Sequence, residues 1–139
     1  MIDGMNPDLS EWQVSDPPPA LGELEREIID VVWDTGETTV RTVMRAVNAA
    51  SGRERAYTTV MTVMGNLRRK GVLTRRREGR TDFYSPTLTR KDYVEARARS
   101  EIGAFVSRYG DLALVHFARE VARLDDERRQ RLERLVGDG

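Results

Sequence analysis

The spacing of apolar residues changes period part-way along the chain, and that change organises the reading. From Leu21 apolar residues recur at Leu24, Ile28, Val31 and Val32, as on one face of a helix. Glu23, Glu25 and Glu27 suit the positive end of that helix, and Gly36 stops it. Thr38 or Thr39 can cap a second helix, which turns Val40, Val43, Met44 and Val47 inward and Arg41 and Arg45 outward before Ser51-Gly52-Arg53-Glu54-Arg55 breaks it. A third helix is predicted over residues 57–70, capped by Thr58 or a near neighbour and ended by Gly71. Its buried stripe is Val60, Val63 or Met64, and Leu67. The period then drops to two. Residues 72–77 read as a strand, Glu78-Gly79-Arg80 as a turn and Thr81–Pro86 as a returning strand.

Three helices followed by a hairpin is the order of a winged helix-turn-helix. The expected class is therefore mainly α with a small β-hairpin wing, a winged helix-turn-helix domain followed by a C-terminal helical dimerisation region. Helical spacing resumes after Pro86: Thr89 can cap a segment reaching Tyr109, and residues 112–121 and 125–136 supply two more helices. Leu112, Leu114, Val115, Ala118, Val121 and Leu124, then Leu132, Leu135 and Val136, form apolar stripes without a core of their own. A second copy of the same segment is the partner expected for them; folding back onto the winged helix is the alternative. Residues 1–20, with Pro17-Pro18-Pro19 and few large apolar side chains, read as a disordered tail ending in a stiff proline turn. The expected division is tail 1–20, winged helix 21–87 and dimerisation region 88–139.

Composition removes several kinds of chemistry. The 139 residues include no cysteine and one histidine, so thiol nucleophiles, disulfides and cysteine metal sites are excluded, and no metal or other cofactor is expected. His116, on an apolar helix, reads as a packing residue. Trp33 reads as a core or lid residue. The N-terminus is acidic and has no apolar run, and no stretch of about 18 apolar residues occurs, so neither a signal peptide nor membrane insertion is expected and a cytoplasmic location is the default.

Net charge is zero, but its distribution is not even. Residues 1–37 carry ten acids and one base; residues 53–82 carry nine bases and three acids. A charge run alone is often only a solvated face, so its position relative to the helices decides its meaning. Here it flanks the third helix and the hairpin, which marks a surface that meets phosphates.

The third helix presents Thr58, Thr59, Met61, Thr62, Gly65 and Asn66 opposite its buried stripe. Threonine can hydrogen-bond a base edge and pack its methyl on a thymine methyl, and small residues let the backbone approach the groove floor. A threonine cluster is a poor choice for helix stability alone. Thr58, Thr59, Met61 and Thr62 are thus the candidate base contacts. Arg53, Arg55, Tyr57, Arg68, Arg69, Lys70, Arg77 and Arg80 are the candidate contacts to the DNA backbone. Strand alternation puts Arg75 and Arg77 on one face and Arg76 on the other, with Arg80 at the wing tip. Phe83 reads as core, and Tyr84 as core or as a phosphate partner. Nucleophile, Walker-type and His-Glu-x-x-His motifs are missing, and Asp125-Asp126 is explained by capping, so the chain is not read as an enzyme.

These residues resemble the BlaI/MecI family of repressors. The resemblance spans residues 21–136. It is carried by Leu21-Gly22-Glu23-Leu24-Glu25 with Val32-Trp33, by Ala56-Tyr57-Thr58-Thr59-Val60-Met61-Thr62-Val63, similar to actinobacterial members, and by Lys70-Gly71-Val72-Leu73 and Phe83-Tyr84-Ser85-Pro86. It implies a homodimer binding an inverted-repeat operator in double-stranded DNA, with C-terminal helices joining the subunits. Relief of repression by an antibiotic or cell-wall stress signal, through a membrane sensor-protease system, is also implied. The Asn-Phe dipeptide at which staphylococcal relatives are cut is absent, so no scissile bond is assigned. The copper-responsive branch uses a cysteine cluster that this chain lacks. Two other readings use the same fold. A protein-interaction module would give Arg68, Arg69 and Lys70 no phosphates to meet. A small-molecule-sensing MarR/PadR-like regulator would need a polar-lined cavity that the short C-terminal part does not signal.

Overall fold

A computed structural model, describing residues 17–138, places α1 at Glu23–Thr35, α2 at Val40–Ser51, α3 at Tyr57–Arg69, strands β1 at Leu73–Glu78 and β2 at Thr81–Pro86, then α4 at Arg90–Tyr109, α5 at Asp111–Ala122 and α6 at Asp126–Asp138. The expected element order is present. The chain divides into two compact units between Arg99 and Ser100, within α4.

The first unit is built on one apolar cluster. Ile28, Ile29 and Val32 of α1, Val43 and Val47 of α2, and Val60, Met64 and Leu67 of α3 are buried together with Val72, Leu73 and Tyr84. Of the two candidates for the α3 stripe, Met64 is fully buried and Val63 only partly. The hairpin pairs antiparallel with Arg77 opposite Asp82 and Arg75 opposite Tyr84. Gly79 opens its two-residue turn at φ +64°, the left-handed conformation that a type II′ turn needs at that position. Tyr84, left open between core and phosphate, is core at 3% exposure. Its backbone exchanges both hydrogen bonds with Thr38 (2.9 and 2.7 Å), so a single residue before α2 acts as a third strand and ties the wing to the helices.

The caps sort the competing expectations. Thr39, not Thr38, caps α2, its hydroxyl accepting from the Thr42 N–H at 3.3 Å. Thr89 caps α4 through the Asp92 N–H at 3.0 Å. Thr58 does not cap α3: the position falls to Ala56, which has no side-chain acceptor, and Thr58 lies exposed inside the helix. At the other end the Val72 N–H reaches the Leu67 carbonyl and the Gly71 N–H the Arg68 carbonyl, a Schellman closure that turns the chain from α3 into β1.

The tail expected over residues 1–20 falls, for residues 1–16, outside the described residues. Residues 17–20 are held: Pro18 is buried, its carbonyl accepts from Arg97 at 3.1 Å, and the Pro19 carbonyl accepts from the Tyr93 hydroxyl at 2.6 Å. Trp33 is half-buried, donating its indole N–H to the Leu88 carbonyl at 2.8 Å with the Tyr93 ring 5.6 Å away. These contacts make the first turns of α4 part of the first unit.

The second unit exposes its apolar side chains. Leu112, Leu114, Val115, Ala118, Val121 and Leu135 are exposed and Leu124 and Leu132 half-buried, with Leu112 at 61% and Val136 at 72%. Phe105 packs 4.9 Å from Tyr109 and 5.5 Å from Phe117, ring centre to ring centre, and all three rings are exposed. His116, expected as a packing residue, is exposed on α5. Among the described residues no helix is long and apolar enough to cross a membrane.

Truncating the fully buried Leu67 to alanine should cost about 2–5 kcal/mol in urea unfolding. Thr58→Ala should change stability by less than about 0.5 kcal/mol, because no cap is lost; a cost near 1 kcal/mol would restore the capping role.

Candidate nucleic-acid interface

Burial of Val60, Met64 and Leu67 turns the other side of α3 outward. Thr58, Thr59, Met61 and Thr62 are all exposed there, while Gly65 and Asn66 are half-buried. Of the four candidate base contacts, one also borders a groove beside the helix. Met61 lines a groove of about 390 Å³ together with Tyr57, Thr39, Val40 and Arg41 from the starts of α3 and α2, and Arg77, Arg80, Thr81, Asp82 and Tyr84 from the wing. Thr58, Thr59 and Thr62 lie outside that groove on the open face. The groove is thus a cleft between α3 and the wing, with hydroxyls and guanidinium groups on its walls.

Arg41 was expected only to face outward. It lies with its guanidinium 5.5 Å from the centre of the Tyr57 ring and places a third arginine in the groove. Its position at the start of α2 was readable, but its meeting with the wing depends on tertiary packing. The α3 N-terminus adds backbone N–H groups that no side chain caps, and such groups favour an anion.

The candidate backbone contacts fall into two sets. Arg53, Arg68 and Arg80 are exposed and make no side-chain hydrogen bond or ion pair among the described residues. The others are already engaged. Arg55 is paired with Glu27 at 2.8 Å, Lys70 with Glu25 at 2.9 Å and Arg77 with Asp82 at 3.3 Å, and Arg69 bonds the Asn66 side chain. Tyr57, exposed, stacks with Arg41. Strand alternation holds as expected: Arg75 and Arg77 both approach Asp82, while Arg76 turns to the opposite face. There it bonds Glu37 at 3.0 Å and covers the half-buried Phe83, its guanidinium 4.9 Å from the ring centre.

Two carboxylates feel these cations. Partial burial pushes Glu25 upward, but hydrogen bonds from Lys70 and from the Gly22 N–H outweigh it and hold the carboxyl below its ordinary value. The Arg76 guanidinium likewise holds Glu37 down. Among the described residues no cluster of three or more His, Cys, Asp or Glu side chains could hold a metal ion.

Fold and surface together define a class: a winged helix-turn-helix domain with a basic, threonine-bearing third helix, followed by a helical unit with an exposed apolar face. Comparison with known proteins makes this specific. The penicillinase repressor family profile matches residues 21–138. The chain is 38% identical over 127 residues to the transcriptional regulator BlaI of Mycobacterium tuberculosis, covering 86% of this chain and 88% of that one. It is 26% identical over 87 residues to the penicillinase repressor of Bacillus licheniformis, covering 63% and 66%. Among solved structures, the complex structure of hsRosR-S4 superposes with a TM-score of 0.52 at 19% identity over 87% of this chain and 90% of that one, a likeness of fold. The chain belongs to the penicillinase repressor (BlaI/MecI) family, whose members are transcriptional repressors and not enzymes.

Because Glu25 and Glu37 titrate low in the folded chain, the stability they contribute is complete above about pH 4.3, the ordinary carboxylate value, and is lost as pH falls through their lower folded values. Glu37 is exposed and screened, so Glu25 should carry most of the effect. Urea midpoints should fall between about pH 6 and about pH 3, less steeply for Glu25→Gln; an unaltered profile in that variant would remove Glu25 from the acid-linked groups.

Proposed function

We propose that the chain is a sequence-specific DNA-binding repressor, acting as a homodimer on an inverted-repeat operator. The observation that carries this is the outward face of α3, where exposed Thr58, Thr59 and Thr62 are flanked by uncommitted Arg53 and Arg68 and by the arginine-walled groove. The threonines read base edges in the major groove, and Met61, on the groove side, offers an apolar contact beside them. Arg53, Arg68 and Arg80, with Tyr57 and Arg41, set the register on phosphates. Arg77 stands in the same groove, its charge shared with Asp82.

The homodimer reading rests on the exposed apolar side chains of α4–α6. A single winged helix reads too few base pairs to be selective, and two copies at a fixed spacing read an inverted repeat. Release by an antibiotic or cell-wall stress signal, through a membrane sensor-protease system, is proposed on family membership alone.

Thr62→Ala should weaken binding to an operator duplex more than to a random one, by about 1–3 kcal/mol in discrimination if its hydrogen bond is lost. Equal losses on both would remove Thr62 from the base contacts. Arg80→Ala should weaken both alike and lower the slope of log K against log salt by about one. In the second unit, Phe117→Asp should yield monomers in sedimentation equilibrium while leaving the far-ultraviolet signal of a folded chain; a variant that remained dimeric would place the subunit contact elsewhere.

A further inference from the structure

Several carboxylates of α1 and of the turn before α2 have definite partners. Glu37 holds Arg76 of the wing, and Asp34 holds Arg90 at the start of α4. Glu25 and Glu27 do something more particular. One turn of α1 places them so that they reach the two opposite ends of α3. Glu27 takes the Arg55 guanidinium at 2.8 Å, two residues before α3 begins, and the Arg55 side chain is only 12% exposed. Asn48 of α2 grips the same residue by its backbone, accepting from the Arg55 N–H at 2.9 Å and donating to its carbonyl at 3.1 Å. At the far end Glu25 accepts from the ammonium group of Lys70, the α3 C-cap, at 2.9 Å, and also from the Gly22 N–H at 2.8 Å.

Apolar contacts at Val60, Met64 and Leu67 choose which side of α3 is buried, but they are non-directional and resist sliding along the helix axis weakly. Directional bonds at both ends supply that missing constraint, and base reading tolerates displacements of only about 0.5 Å. Arg55, held on its carboxylate at 2.8 Å with its side chain only 12% exposed, offers little free surface to a phosphate. We propose that Glu25, Glu27 and Asn48 are positioning residues for base reading, bracing the recognition helix at both ends, and that Arg55 and Lys70 serve this brace instead of contacting DNA. The inference rests on the DNA-reading function proposed above.

The test uses the full chain with two probes: a duplex selected by the wild-type protein from a random pool, and a random-sequence duplex of equal length. Affinities are measured across a salt series. Arg55→Gln and Lys70→Gln should leave the salt slope unchanged, while preference for the selected duplex drops about tenfold, the worth of one lost base contact. Arg53→Gln, the free cation beside them, should lower the slope by about one with little change in preference. Exchanging the pair, Glu27→Arg with Arg55→Glu, should recover preference lost in Arg55→Gln. A slope lowered by about one in Arg55→Gln or Lys70→Gln, with equal losses on both duplexes, overturns the proposal. A folded exchange variant that recovers nothing overturns it too. Lys70→Gln lies at the more exposed end, so it decides the matter if Arg55→Gln fails to fold. Failure of the wild-type chain to select any duplex is a separate result, and it would overturn the DNA-reading function itself.

Discussion

The structure depends first on the one-sided burial of α3. Val60, Met64 and Leu67 stand at i, i+4 and i+7, and all three are fully buried against α1 and α2. Once they are inside, helix geometry leaves no choice about Thr58, Thr59 and Thr62: they face outward whatever the partner. Core packing and surface chemistry are therefore one constraint seen from two sides. The wing follows from the same cluster, because Val72 and Leu73 continue the core out of α3 and Tyr84 returns to it from the second strand. Its backbone pairing with Thr38 then places the hairpin beside α2, and the groove between wing and α3 is the consequence.

Local pattern made much of this legible. Three amphipathic periods, a switch to alternation and glycines at the breaks were enough to order the elements, because each signal lies within a few residues of its effect. The open face of α3 followed from the same arithmetic. What could not be read depends on partners far away in the chain. The Glu27–Arg55 and Glu25–Lys70 pairs span 28 and 45 residues, and Glu37–Arg76 spans 39. In the sequence Arg55, Arg68 and Lys70 look alike; only the fold distinguishes a cation committed to a carboxylate from one left free. Asn48 was missed for a more local reason, its partner Arg55 lying seven residues on. It reads as one more polar position on α2, and its double grip on Arg55 exists only once the turn has formed. The aromatic contacts of Phe105 with Tyr109 and Phe117 were also passed over, since the stripes chosen by spacing began at Leu112.

Charge shows how these levels connect. A chain of zero net charge gains nothing from bulk attraction to a polyanion, so any attraction must come from separating its charges. The separation is structural. Carboxylates of α1 and its following turn neutralise cations at the ends of α3, at the wing and at α4, and the arginines left over stand at the outer surface. Arg53, Arg68 and Arg80 belong to those that make no ion pair among the described residues. The acidic segment is in this sense the scaffold's half of the electrostatic design, while the free arginines are the half that faces outward.

This division also bears on how few residues would carry sequence information. Three threonines and a methionine can distinguish only a handful of base pairs, and each contact is worth little unless the helix arrives in register. Pairing two chains doubles the number of bases read, but it also makes the demand on register stricter, because an error in either helix shifts both half-sites out of phase. Apolar packing alone sets the face and leaves the position along the axis soft. A domain that reads through short side chains therefore needs stiff ends on its reading helix, whereas one that reads through long flexible arginines can absorb small displacements by changing rotamers. On the function proposed for this chain, the ion pairs at the ends of α3 and the threonines on its face belong to a single solution to that requirement.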